Sequence, residues 1–179
     1  IPTAPVLEKI GKPLSIKTIK IPKLKKRHVL DTVYISGVCR SQLMEIDGAR
    51  GKDPWLPHML GHEASGVVVK IGKGVSKVKA KDPVILTWIK CKGKETKESQ
   101  IFYSNNLRIN AGHITTFSNY SIVSENRVVI KPKNLDFKVA TLFGCALPTG
   151  SGMILNQVKP KKKSFIAVIG LGGIGLSAI

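Results

Sequence analysis

The stretch that most constrains this chain is its final segment. An apolar run, Phe165-Ile-Ala-Val-Ile169, passes directly into Gly170-Leu-Gly172-Gly-Ile-Gly175. A strand running into G-x-G-x-x-G is the opening of a dinucleotide-binding βαβ unit. The first Gly makes the tight turn, the second lets a pyrophosphate approach the backbone, and the third lets helix pack on strand. Gly170, Gly172 and Gly175 are therefore candidate cofactor-binding residues for NAD or NADP. The acid that reads the ribose stands about 20 residues beyond such a turn, and only four residues follow Gly175. The choice between NAD and NADP thus lies outside this sequence.

Upstream the pattern is different. Residues 1–140 read as short strands divided by Gly, Pro, Asn and Asp, among them Val29–Ile35, Ser65–Ile71, Val84–Trp88 and Arg127–Ile130. Even spacing of short strands predicts an all-β, barrel-like domain. Ser41–Pro57 predicts a short helix followed by a loop. Lys90–Asn110 is polar and poorly periodic and predicts a long loop. Val139–Cys145 and Gly150–Asn156 predict helices.

Composition excludes several classes. No apolar run approaches the roughly 18–20 residues of a membrane span. The net charge of +18 invites a nucleic-acid reading, but 24 of the 29 basic residues are Lys and they are spread along the chain. Readers of bases and phosphates favour Arg forks, so solvated lysines and no nucleic-acid partner are expected. Three cysteines form no disulfide framework, which fits reduced thiols and a cytoplasmic protein. The chain opens on Ile1 with no secretory signal pattern, so both ends are expected to be cut.

Three residues have the chemistry of a catalytic zinc site, which needs three protein ligands and one open position. Cys39 follows Gly37-Val38 at a strand end, His62 lies between Gly61 and Glu63, and Cys145 lies between two helical stretches. Taken alone, each reads more readily as a small buried hydrophobe or a structural histidine than as a ligand. They are far apart in sequence, so spacing makes no local finger motif.

Together with the glycine turn these segments carry a resemblance. Gly37-Val-Cys39-Arg-Ser41, Gly61-His-Glu63, Gly144-Cys-Ala-Leu-Pro-Thr149-Gly and Gly170-Leu-Gly-Gly-Ile-Gly175 occur in the order seen in the medium-chain, zinc-dependent alcohol dehydrogenase family. The resemblance implies a mainly β GroES-like barrel domain with a few helices over residues 1–146. Residues 147–179 would be a connecting helix and the first strand-turn-helix of a truncated α/β Rossmann domain. It implies one catalytic Zn2+ on Cys39, His62 and Cys145, with Glu63 beside the metal as a supporting or transient ligand. Ser41 matches the hydroxyl that touches the substrate oxygen, Arg40 a contact to the cofactor pyrophosphate, and Thr149 a position near the nicotinamide. The implied activity is hydride transfer between an alcohol or polyol hydroxyl, or the matching aldehyde or ketone, and NAD(P). Cys145 as third ligand resembles alcohol-type members more than polyol dehydrogenases, which often carry Glu there. The partner is a small-molecule alcohol or carbonyl substrate, and the full-length protein is expected to be a homo-oligomer.

Three departures stand out. Members often carry an acid just after the Ser, bonded to the ligand His; here it is Gln42. A His that finishes the proton relay is replaced by Met44, leaving water, a cofactor hydroxyl or His58 to substitute. Many members have a lobe of four Cys for a structural zinc, whereas only Cys91 stands in that region, so no structural zinc is expected. His28, His113 and Cys91 read as structural.

Two other readings compete. A zinc-free relative of the quinone-reductase kind is opposed by the intact Cys39, His62 and Cys145 set. A non-enzymatic basic module or decayed remnant gains some weight from Gln42, Met44 and the turn Ala80-Lys81-Asp82-Pro83, where the family usually has Pro-Gly-Asp. Without the rest of a Rossmann sheet, the fragment alone is expected to be inactive, and an orphan strand Phe165–Ile169 would expose an apolar edge.

Overall fold

A computed structural model describes residues 1–96 and 99–179. Its body is two five-stranded sheets. The first runs β2-β1-β4-β8-β7, from β1 (Thr3–Leu7), β2 (Ser15–Thr18), β4 (His58–Met59), β7 (Gln100–Ser104) and β8 (Leu107–Gly112). The second runs β10-β6-β5-β3-β9, from β3 (His28–Ser36), β5 (Glu63–Ile71), β6 (Pro83–Thr87), β9 (Tyr120–Ser124) and β10 (Val128–Ile130). Neighbours are antiparallel except β4 and β8. Among the described residues no helix is long and apolar enough to cross a membrane.

Strand alternation explains why β3 sits at the centre. Side chains of successive strand residues point to opposite faces. Val29 packs with Val68, Val84, Leu86 and Val123 in one buried cluster, while Leu30 packs with Phe102, Ile109 and Ile122 in the other. One strand therefore serves two apolar layers. Asp31 breaks the pattern. It is fully buried, stands opposite Ser121 of β9, and neither carboxylate oxygen has a hydrogen-bond partner among the described residues. Burial raises its pKa to about 8.

The four strands expected from sequence are present within one or two residues at each end, as is the short helix after Cys39, α1 (Arg40–Ile46). The helical reading near Val139 corresponds to α2 (Phe137–Leu142). That near Gly150 becomes α3 (Ala146–Gly152), continued as a π-helical segment Met153–Val158. The expected loop Lys90–Asn110 is corrected in its second half. Residues from Gln100 onward form the β7–β8 hairpin, with Tyr103 opposite Arg108 and Asn105 at φ +50 in its turn. The polar stretch before Gln100 obscures a short alternation that buries Phe102 and Ile109 completely.

Phe165–Ile169 forms no paired strand, and Phe165 and Ile169 are fully exposed. A strand is stable only against a neighbour, and among the described residues no other strand pairs with this segment. The glycine turn does lead into a helix, α4 (Gly173–Ala178). Gly170 has φ +95, and a Cβ on Gly175 would lie 1.9 Å from the Gly170 carbonyl oxygen. The helix therefore folds back on its own turn at a distance only glycine permits.

Candidate metal centre

Each prospective ligand is placed by a different break in regular structure. Cys39 caps α1 with extended backbone (φ −106, ψ 145) just beyond the end of β3. His62 precedes β5 and follows Gly61, whose φ of +91 admits the sharp entry into the strand. Cys145 precedes α3 with φ −151 and ψ −64. Their ligand atoms all lie within 4.8 Å of one another, and among the described residues they form the one such group of three. His62 Nε2 is 3.2 Å from Cys145 Sγ. Zinc bond lengths put ligand atoms of a tetrahedron roughly 3.5–3.8 Å apart, so the His62–Cys145 pair would open slightly while any separation near the 4.8 Å limit closes by about 1 Å. Two thiolates and one neutral imidazole would cancel the charge of Zn2+, which lowers the desolvation penalty of holding the ion in a half-buried site.

Electrostatics suit the same purpose. Burial, aided by the charge of Arg50, holds His62 below its ordinary pKa, which favours the neutral imidazole that ligation requires. Burial and then the proximity of Cys39 push the Cys145 thiol up to about 11; the neighbouring Thr149 and Trp88 side chains oppose that rise. A cation between the two sulfurs is the group that would reverse it.

Around the ligands the chain is drawn tight. Glu63 is buried, and its Oε2 accepts the Ala146 N–H at 3.2 Å. Burial raises the Glu63 pKa, partly offset by the N–H groups of Ala146 and Cys145. A Cβ on Gly37 would stand 2.4 Å from Glu63 Oε1, and one on Gly144 would stand 2.5 Å from the Leu86 carbonyl oxygen. Thr87 Oγ1 donates to the Gly144 carbonyl at 2.7 Å. Gln42 is also buried, with Oε1 accepting the Cys39 N–H at 2.8 Å and Nε2 2.5 Å from His62 Nδ1.

The other expected residues fall into two places. Arg40 is exposed and Ser41 half-buried, both in the first turn of α1 beside Cys39. Thr149 lies one turn along α3 from Cys145. It donates to the Cys145 carbonyl at 2.7 Å, and its hydroxyl is 4.0 Å from the sulfur. Gly170, Gly172 and Gly175 lie at the far end of the chain, and α4 reaches the metal-site helix through Ser177, whose hydroxyl donates to the Ala146 carbonyl at 3.1 Å. A Cβ on Gly150 would collide with Ser177 Oγ at 2.0 Å, so α3 and α4 touch along a glycine face.

Sequence reasoning did not find Trp88 as a neighbour of Cys145. Its signal is its place directly after Thr87, which pairs with Glu63 across β5 and β6. Both ring nitrogens of His58 are engaged, with Asp53 Oδ2 at 2.8 Å and the Met59 carbonyl at 2.9 Å. Met44 is exposed. His28 bonds the Lys25 N–H and the Gln100 amide, as a structural histidine does. A cavity of about 610 Å³ opens on the Gln42 side of His62, with Arg50, Trp55, His58 and Thr115 in its walls.

The chain is similar to known proteins in sequence and in fold. The family described as "Alcohol dehydrogenase GroES-like domain" matches residues 25–133. Alcohol dehydrogenase 6 of Peromyscus maniculatus is 31% identical over 98% of this chain and 53% of its own length. Among solved structures, an alcohol dehydrogenase zinc-binding domain protein from Burkholderia ambifaria superposes with a TM-score of 0.84 at 26% identity, covering 99% of this chain and 54% of that one. Benzyl alcohol dehydrogenase from Acinetobacter calcoaceticus does so with a TM-score of 0.82 at 27% identity, covering 99% and 54%. The chain thus spans about half the length of the relatives it matches.

Proposed function

The chain belongs to the alcohol dehydrogenase family, and from that premise we propose that it is the zinc-binding half of an NAD(P)-dependent oxidoreductase acting on a small alcohol or its carbonyl. One observation carries the proposal. Two cysteines and a histidine from three remote segments bring their ligand atoms within 4.8 Å. A structural role for three unrelated residues gives no reason for that convergence.

In this reading Cys39, His62 and Cys145 hold a single zinc ion, and residues 1–146 form the catalytic domain. Residues 147–179 join it to a nucleotide-binding domain. When bound, zinc supplies Lewis-acid polarisation of the substrate oxygen. The rest belongs to the protein. Ser41 can donate and accept at once, so in oxidation its hydroxyl accepts the proton of the substrate oxygen as it hands its own to solvent water, and in reduction the exchange runs in reverse. Arg40, next to Cys39 in sequence, binds the cofactor pyrophosphate and thereby couples cofactor position to the metal. Thr149, held by the Cys145 carbonyl, lines the nicotinamide side. Glu63 acts as a positioning residue for Cys145. The glycines at 170, 172 and 175 receive the phosphates. The 179 residues alone are expected to bind zinc without oxidising alcohols, and the complete protein is expected to be a cytoplasmic homo-oligomer.

Elemental analysis of the purified, reduced chain tests the metal assignment. One zinc per chain, lost in Cys145→Ala, supports it. Absence of zinc in folded wild-type protein overturns it in favour of a metal-free relative.

A further inference from the structure

Gln42 stands between two of the prospective ligands, with one end of its amide on the Cys39 N–H and the other on His62 Nδ1. A primary amide has an acceptor at its oxygen and donors at its nitrogen. The Cys39 backbone N–H can only donate, and it points at Gln42 Oε1 from 2.8 Å. The amide NH2 is therefore turned toward His62 Nδ1, 2.5 Å away. A nitrogen facing a donor must accept. The proton of neutral His62 then belongs on Nε2, where Cys145 Sγ receives it at 3.2 Å. That is the wrong tautomer for a ligand, because Nε2 is the atom aimed into the metal site and ligation requires its lone pair.

We propose that Gln42 is a positioning residue that holds His62 in the Nε2–H tautomer and so weakens metal binding at this centre. The inference rests on the metal-site reading above. For a cation to bind, the proton must move to Nδ1, which then faces the NH2 group, donor against donor. Flipping the amide repairs that contact but turns NH2 toward the Cys39 N–H. Gln42 is about 2% exposed, so water has little access to take up either orphaned donor. One buried hydrogen bond is lost in both arrangements. A carboxylate at this position has two acceptor oxygens. It would take the Cys39 N–H and a His62 Nδ1–H together, in the arrangement that orients metal-bound histidines elsewhere.

The test uses the whole chain and two independent readouts. The first is the tautomer of His62 in metal-free protein, read by nitrogen NMR of histidine-labelled chain, with His62→Gln identifying the resonance. An unprotonated Nδ1 and protonated Nε2 are expected in wild type, and this bias should disappear in Gln42→Leu. A protonated Nδ1 in wild type overturns the proposal. The second is zinc affinity by competition with a chromophoric chelator. Gln42→Glu should bind about 10–100-fold more tightly than wild type, the range by which outer partners alter metal affinity. Equal affinity in a folded Gln42→Glu variant also overturns it. If no variant binds zinc, the metal reading fails, and the metal-free tautomer still decides the role of Gln42. The same measurement decides it if Gln42→Glu does not fold.

Discussion

Glu63 and Ala146 are joined across the metal centre: a carboxylate on β5 accepts the first backbone N–H of α3 at 3.2 Å. That bond fixes where Cys145 stands relative to His62, the residue beside Glu63. Glu63→Ala should leave buried N–H groups unpaired and lower unfolding free energy by about 1–3 kcal/mol, measured by urea denaturation. Zinc affinity should fall with it, although no ligand has been removed. Unchanged zinc affinity in Glu63→Ala would show that Cys145 is positioned by α3 alone.

Gly144 is held by backbone on one side and Glu63 on the other. A Cβ there would stand 2.5 Å from the Leu86 oxygen and 2.7 Å from Glu63 Cβ. Neither neighbour is the end of a flexible chain. Gly144→Ala should destabilise the protein by about 1–3 kcal/mol, as overpacking does, and should displace Cys145. Gly51→Ala is the useful contrast for space, since Gly51 has nothing within 4 Å, although its φ of +86 adds strain. It should leave zinc binding intact while Gly144→Ala reduces it.

Asp31 makes stability depend on pH. Its carboxyl titrates near 3.8 when unfolded and at about 8 when folded, because burial disfavours the charge. Between these values the native state holds a proton that the unfolded chain has released. Stability is therefore highest near and below pH 4 on this account and falls as pH rises to about 8, by at most about 1.4 kcal/mol per pH unit. Asp31→Asn should flatten the decline, and Asp31→Val should raise Tm by more at pH 8.5 than at pH 5. A Tm difference independent of pH would show that the native carboxyl is solvated or paired.

The segment around Phe165 and Ile169 leaves large apolar side chains in water. Unpaired apolar backbone favours association with another copy. Ile169→Lys with Phe165→Lys should reduce concentration-dependent self-association in sedimentation velocity. Zinc content should be unchanged, because neither residue lies among the metal-site residues. Equal association in the double variant would move the sticky surface elsewhere.

The order of the motifs along the chain was enough to indicate the fold family, the Cys39, His62 and Cys145 set and the glycine turn. Each motif is a local string, and its chemistry depends on neighbours in sequence: a glycine before a sharp entry, a cysteine at a strand end. Short β-branched runs bounded by turn residues, such as β3 and β5, were legible for the same reason. The β7–β8 hairpin was not, because the polar residues ahead of it hid an alternation only a few residues long. Other properties arise between segments and needed the folded chain. The meeting of His62 and Cys145 spans 83 positions. The Glu63 bond to Ala146 and the place of Trp88 depend on which strands become neighbours. The burial of Asp31 depends on two strands closing over it, and the facing of an amide toward His62 Nδ1 depends on which end of Gln42 meets the Cys39 N–H. Sequence specifies donors, acceptors and apolar faces; packing decides which of them come within hydrogen-bond distance and which are shut away from water.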